Sequence, residues 1–252
     1  MACEHEGRHY LVIGASSGIG ESIALELASL GANITMLARR VERMKEIQQK
    51  MKPGRHAYYG FDVSLLGQIS DLVGRVQEER GSVDGCVYCA GTGDTARLRD
   101  LTPERLHHAM QVNFYPFVEF VRALAGKKRR GRFLRIVALS SLASISSDKY
   151  FTPYSASKAA LDAAVRCLAR ELISKDVTIN SIRPAMVDVE RLHALDEFVE
   201  EGGLNEQIIK NGYQPLGLIP AKDIAGMAAY LLSDASRYIT GTSLSFNGGA
   251  SC

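Results

Sequence analysis

The sequence predicts an α/β protein built on one parallel sheet with helices on both faces. Three observations carry this. Short apolar runs bounded by glycine or polar turns recur along the chain, and helical apolar spacing fills the intervals between them. The connections are short, so successive strands must lie parallel and be covered by the helices that join them. A glycine-rich turn links the first apolar run to the first helix. No linker or internal repeat interrupts the pattern, so residues 1–252 are expected to form a single domain.

Taken in order, Tyr10-Leu11-Val12-Ile13 is a short apolar run ending in glycine, as a buried parallel strand does. Gly14-Ala15-Ser16-Ser17-Gly18-Ile19-Gly20 follows, then helical spacing through Ile23, Leu27 and Leu30 that stops at Gly31. A strand, a glycine-rich turn and a helix make the setting that cradles a dinucleotide pyrophosphate. The glycines allow close backbone approach, and the helix N-terminus offers free N–H groups to the anion. The spacing is Gly-x-x-x-Gly-x-Gly, not the more general Gly-x-Gly-x-x-Gly. Residues 33–38 form a second strand ending at Arg39-Arg40, and residues 41–51 a helix. Residues 56–60 form a strand ending in Phe61-Asp62-Val63, 65–80 a helix, and 83–89 a strand before Ala90-Gly91. One long helix is expected over 102–125, and a strand over 133–139 ending at Ser140-Ser141. A further helix opens at Pro153 and a strand covers 177–182. The one long irregular stretch, about 185–219, has mixed charge and several glycines, and a loop of that size serves as a lid or binding element.

Composition excludes several classes. Hydrophobic residues at 46% and charged residues at 23% are ordinary globular values, and the net charge of +2 is too small to argue for nucleic acid. The basic cluster Lys127-Lys128-Arg129-Arg130, with Arg132 and Arg135, sits around Gly126 and Gly131 and reads as a solvated loop. The N-terminal residues are polar and mixed in charge, with no signal-peptide pattern, and no apolar stretch approaches the ~18 residues that span a bilayer. A cytoplasmic protein without a membrane partner is expected. The five cysteines are scattered and read as reduced, and no metal site is expected. Cys86-Val87-Tyr88-Cys89 is a C-x-x-C, but in a strand residues three apart point to opposite faces, which suits no disulfide.

Thr152-Pro153-Tyr154-Ser155-Ala156-Ser157-Lys158 carries the chemistry. Proline suits a first helical turn and Thr152 before it is a good N-cap, so Tyr154 and Lys158, four apart, share one face. A phenol near pKa ~10 is a poor acid or base at neutral pH, and a cation held beside it favours the phenolate. The pair then exchanges a proton with a substrate oxygen. Taken alone, the motif also fits a surface tyrosine beside a solvated lysine.

With these residues in view, the chain resembles a classical short-chain dehydrogenase/reductase over roughly residues 8–249. The matching residues are Gly14, Gly18, Gly20, Asp62, Ala90-Gly91, Asn113 in Gln111-Val112-Asn113-Phe114, Ser141, Tyr154 and Lys158. Asn180-Ser181-Ile182-Arg183-Pro184, Asp223-Ile224-Ala225, Tyr238-Ile239-Thr240-Gly241 and Asn247-Gly248-Gly249 complete the set. Ser141 lies thirteen residues before Tyr154, the spacing usual in that family. The resemblance implies a Rossmann-like doubly wound sheet and hydride transfer between a nicotinamide and a ketone/secondary alcohol pair. Tyr154 would be the general acid, or the base in reverse, and Lys158 would hold the ribose hydroxyls and stabilise the tyrosinate. Ser141 would bond the same substrate oxygen, and Asn113 would kink its helix and hold a water relaying protons to Lys158. Asp62 would accept from the adenine amine. Ser16, Ser17, Ile19, Val63, Cys89, Ala90, Gly91, Pro184 and Val187 would complete the cofactor site. A turn or cap role for Asp62 and a buried polar role for Asn113 are the plainer alternatives. The chain departs from the family pattern at Ile13, at Tyr88-Cys89 in place of Asn-Asn, at Ala185 and at Val189.

A member of this family that prefers NAD carries an acidic residue at the end of the second strand. Here that position is Ala38, followed by Arg39 and Arg40, so NADP(H) is expected over NAD(H). The alternative is that both arginines merely begin a solvated helix with Glu42, Arg43 and Lys45, a description that suits Arg40 better than Arg39. The C-terminal half is closest in pattern to 3-oxoacyl-carrier-protein reductases, which makes an acyl thioester the first substrate candidate. A sugar, steroid-like or secondary-metabolite ketone is the second, and a dinucleotide-binding sensor or scaffold without turnover the third. A homotetramer, or a dimer, is expected because the 102–125 and 153–174 helices carry apolar residues beyond one stripe, namely Leu101, Leu106, Met110, Phe117, Val118, Val121, Leu161, Val165 and Leu168, more than one sheet face would bury.

Overall fold

The computed structural model describes residues 2–126, 133–193 and 203–250. Nine strands are described: β1 (His9–Ile13), β2 (Asn33–Ala38), β3 (Ala57–Gly60), β4 (Gly85–Tyr88), β5 (Leu134–Leu139), β6 (Val177–Pro184), β7 (Val187–Asp188), β8 (Ile219–Pro220) and β9 (Ser243–Phe246). The described helices are α1 (Ala2–His5), α2 (Gly18–Ser29), α3 (Val41–Lys50), α4 (Ile69–Arg80), α5 (Pro103–Asn113), α6 (Tyr115–Ala125), α7 (Thr152–Leu172), α8 (Glu190–His193), α9 (Gly203–Lys210) and α10 (Ala221–Leu232).

Seven strands form one sheet in the order β3-β2-β1-β4-β5-β6-β9, and every neighbouring pair is parallel. Alternate side chains along β1 feed two separate cores, as the two-residue period of a strand requires. Tyr10 and Val12 pack with Ile23, Leu27, Ala228 and Leu231 of α2 and α10. Leu11 and Ile13 pack with Val73, Phe120, Leu161 and Val165 of α4, α6 and α7. The strand sequence reverses direction between β1 and β4, where Ile13 pairs with Tyr88 at the carboxyl ends. That reversal opens the crevice in which doubly wound sheets bind ligands.

Five expectations need correction. The single helix expected over 102–125 is two helices, because Phe114 leaves helical geometry (φ −122°, ψ −58°) between them. Proline at residue 116, in the first turn of α6, lacks the N–H that a continuous helix would need there, and so permits the break. Thr152 is the first residue of α7, not its cap; Phe151 occupies the cap position, a one-residue shift of the kind helix ends allow. Arg135 does not lie in a solvated loop. It is an interior residue of β5, buried, with its guanidinium 3.2 Å from Asp176 Oδ1 and stacked at 5.2 Å over the Phe133 ring. Lys127 to Arg130 and Arg132 lie outside the described residues. The described part of the 185–219 stretch is not wholly irregular: β7 and β8 pair in parallel and α8 and α9 fold within it, while residues 194–202 lie outside the described residues. Finally, the C-terminal portion supplies α10 and the edge strand β9, which the apolar pattern alone had not marked.

Candidate active site

The glycine turn lies against the carboxyl ends of β1 and β4. Gly14 has φ +83°, and a Cβ there would sit 2.6 Å from Ala90 N, so only glycine fits. A Cβ on Gly20 would sit 2.2 Å from Gly14 O, which fixes how tightly α2 packs on the turn. Gly18 and Ile19 open α2, whose first N–H groups face the turn, and the Val189 side chain comes within 3.4 Å of where a Gly18 Cβ would stand. The cradle is therefore bare backbone at a helix N-terminus, as a pyrophosphate requires.

Arg40 reaches back onto this turn. Its guanidinium donates to Ser16 Oγ at 3.1 Å and to Ser17 Oγ at 2.5 Å. This differs from the sequence expectation, which favoured Arg39. The chain at Arg40 (φ −87°, ψ 85°) turns before α3 begins and swings the second arginine, not the first, over the serines. Arg39 is exposed beside Asp62, whose carboxylate is held below its usual pKa by hydrogen bonds from the Ser64 N–H (2.9 Å) and Ser64 hydroxyl (2.8 Å) to Oδ1. One oxygen of Asp62 is thus engaged in a turn, the plainer of its two expected roles. Val63 packs against the α4–α6 core.

Across the crevice, three groups converge. A Cβ on Gly91 would lie 3.3 Å from Asn113 Oδ1 and 3.4 Å from Lys158 Nζ. Lys158 is buried and donates to the Leu139 carbonyl at 2.6 Å, so β5 anchors the ammonium. Its Nζ lies 5.8 Å from the centre of the half-buried Tyr154 ring, one helical turn earlier on α7. Asn113 is fully buried at the end of α5. Its Oδ1 accepts from Thr92 N–H (2.7 Å), and its Nδ2 donates to Thr92 O (3.0 Å) and Ser157 Oγ (2.8 Å). Both halves of the amide clamp the loop after β4 to α7. Ser141, two residues after β5, is the cap of a short 3₁₀ turn, its Oγ accepting from Ala143 N–H at 3.2 Å, and this turn packs on α7.

Cys89 sits between the two halves, its N–H donating to Ile13 O at 2.8 Å; burial is the main cause pushing its thiol up to about 12, with the Lys158 charge opposing. It is a neutral thiol, and Cys86, Cys89 and Cys167 are free. Pro184 and Val187 are buried, the first pairing with Phe246 and the second with Ile219, so Val187 offers a ligand its backbone only. Among the described residues no group of three histidine, cysteine or acidic side chains is placed to hold a metal.

Three residues outside the expected set support the site. Thr92 and Ser157 hold Asn113, and Asp162 holds the Ser141 turn. Asp162 is buried and accepts from Ser144 Oγ (2.6 Å), Ser181 Oγ (2.7 Å) and Arg183 Nε (2.7 Å). Its spacing was a signal: Tyr154, Lys158 and Asp162 recur every four residues along one face of α7.

The sequence profile described as "Enoyl-(Acyl carrier protein) reductase" matches residues 14–251. The chain belongs to the short-chain dehydrogenase/reductase family. It is an oxidoreductase. It is 32% identical over 242 residues to an acetoacetyl-CoA reductase of Rhizobium meliloti, covering 95% of this chain and 96% of that one. It is 29% identical over 247 residues to a 3-oxoacyl-[acyl-carrier-protein] reductase of Pseudomonas aeruginosa, covering 97% of each. A solved 3-oxoacyl (acyl-carrier-protein) reductase of Agrobacterium tumefaciens C58, with NADP bound, superposes with a TM-score of 0.89 at 26% identity, covering 99% of this chain and 97% of that one. Within the family, the residues of this chain fit a dinucleotide: backbone packing leaves no room for a side chain at Gly14 or Gly20, and the Arg40 guanidinium stands beside the turn.

Proposed function

We propose that this oxidoreductase is an NADP(H)-dependent ketone reductase, with a 3-oxoacyl thioester as the leading substrate class. The observation that carries the reaction class is the meeting of Lys158 and Asn113 at Gly91, with Tyr154 one turn away on the same helix. In this reading the bound nicotinamide supplies the hydride. Tyr154 gives its hydroxyl proton to the substrate oxygen, and Ser141, on the turn that packs against α7, holds that oxygen by a second hydrogen bond. Lys158, fixed by the Leu139 carbonyl, presents its remaining N–H groups to the ribose and favours the tyrosinate left behind. Gly14, Gly18 and Gly20 admit the pyrophosphate, Asp62 keeps Oδ2 for the adenine amine, and Arg39 and Arg40 receive a 2′-phosphate. The relatives named for 3-oxoacyl and acetoacetyl substrates support the thioester, and the NADP-bound neighbour supports the cofactor. The reading treats the chain as one domain with residues 185–219 as its lid, a cytoplasmic enzyme that assembles with itself.

The test is a panel of ketones that includes acetoacetyl-CoA, followed by NADPH absorbance, on the wild type and Tyr154→Phe. The expected result is turnover in the wild type and a loss greater than about tenfold in the variant, at least ~1.4 kcal/mol of barrier, with NADPH affinity kept. Turnover that survives the loss of the hydroxyl removes Tyr154 from the chemistry.

A further inference from the structure

Tyr88 stands where the family pattern carries asparagine, and its hydroxyl donates to the Val112 carbonyl at 2.5 Å. That carbonyl has lost its ordinary partner. In a continuous helix the carbonyl of residue 112 accepts from the N–H of residue 116, and residue 116 is Pro116, which has none. Buried carbonyls are rarely left unpaired, and the phenol of Tyr88 supplies the missing donor. The ring is fully buried and packs against Phe117 at 5.8 Å and Phe120 at 6.3 Å, both in α6. A single side chain at the carboxyl end of β4 therefore touches α5 through its hydroxyl and α6 through its ring. Between those contacts lie Asn113, the last residue of α5, and Phe114, where helical geometry is lost.

We propose that Tyr88 is a positioning residue of the active site: it stabilises the α5–α6 break and so holds Asn113 against Thr92, Ser157 and Gly91, on whose Cα Lys158 also converges. Asn113 must meet these three from the end of a helix, and a helix running straight through residue 114 would turn its amide to a different bearing. Pro116 permits the break and Tyr88 selects its geometry. A tyrosine on a strand and a proline in a helix's first turn thus serve one arrangement. The inference rests on the reading of Asn113 and Lys158 as parts of the proton-transfer site.

The test compares Tyr88→Phe, Tyr88→Phe/Pro116→Ala and Tyr154→Phe in the full chain, with the best ketone of the panel and saturating NADPH, well below every thermal midpoint. Tyr88→Phe keeps the ring and strands the Val112 carbonyl. The expected result is a lower thermal midpoint, a kcat reduced about tenfold, an altered pH dependence of kcat, and a KM for NADPH close to wild type. In the double variant the alanine replacing Pro116 restores a donor to Val112 and lets the helix continue. Its thermal midpoint should recover while kcat stays low, because the carbonyl is satisfied but Asn113 is misplaced. Recovery of kcat together with the midpoint would show that Tyr88 serves stability alone and overturn the proposal. So would a Tyr88→Phe enzyme with wild-type kcat and pH profile while Tyr154→Phe is inactive. Turnover that persists in Tyr154→Phe strikes instead at the functional reading on which the proposal rests.

Discussion

Two adjacent arginines bear on the proposed cofactor preference. Arg39 follows the end of β2 beside Asp62, and Arg40 turns back to hydrogen-bond Ser16 and Ser17. With Ala38 in place of a carboxylate, nothing repels a 2′-phosphate, and a guanidinium can bind it by charge-assisted hydrogen bonds. The wild type should favour NADPH over NADH by at least about tenfold in kcat/KM, or ~1.4 kcal/mol. Arg40→Ala should raise KM for NADPH about tenfold and barely alter that for NADH, since a charged hydrogen bond contributes about 1.5–3 kcal/mol. Adding Ala38→Asp should reverse the preference by installing repulsion. Steady-state kinetics with both cofactors decide this; equal use of the two by the wild type contradicts it. The presence of two arginines was plain in the sequence, but which of them faces the turn depends on one pair of backbone angles. Asp62 was similarly half legible. Its place after β3 was readable, while the engagement of one oxygen by Ser64 required coordinates.

At the scale of elements, α7 is the beam to which the site is fastened. Asp162 ties it to the Ser141 turn through Ser144 and to β6 through Ser181 and Arg183. Burial is the largest influence on the Asp162 carboxyl and opposes its ionisation; the bonds from Ser144, Ser181 and Arg183 together outweigh it, so its pKa is lowered. The folded state therefore holds the ionised form, while the unfolded chain titrates near ~3.9. The stabilisation is complete above that value and is lost as pH falls through the lower, folded one. Urea unfolding should show wild-type stability declining below about pH 4, and Asp162→Asn should flatten that decline. Near neutral pH the variant should lose about 3–5 kcal/mol, because Arg183 is left buried without its counter-charge. A variant as stable as wild type would show that the pair carries no net stabilisation. The break between α5 and α6 belongs to the same scale. Apolar spacing runs through residues 102–125 without interruption, so periodicity hid the break; its signs were Pro116 and the kink that the family resemblance implied at Asn113.

Across the whole molecule, the apolar residues that exceeded one stripe have divided. Phe117, Val121, Leu161 and Val165 are buried in the sheet-facing core, whereas Leu106 remains 39% exposed and Met110 and Leu168 partly so. These belong to α5 and α7, which pack beside each other. A second copy of the chain covering α5 and α7 would bury them. Light scattering at micromolar concentration should report a dimer or a tetramer, and a monomer would contradict the proposed self-assembly. Among the described residues no helix is long and apolar enough to cross a membrane.

By itself the sequence determined the alternation of strands and helices, the glycine turn and the four-residue pairing of Tyr154 with Lys158. Each of these is written locally: apolar period, turn chemistry and four-residue spacing act over a handful of positions. Only the tertiary structure decided what those residues meet. Gly91 and Asn113 are separated by an entire helix, and Asn113 and Ser157 by more than another, yet they touch because parallel strands bring distant loops to one end of the sheet. The hydroxyl of Tyr88 finds Val112 for the same reason, across a sheet-to-helix contact that no window of neighbouring residues contains. Local patterns specify elements, and the order in which the strands pair specifies the site.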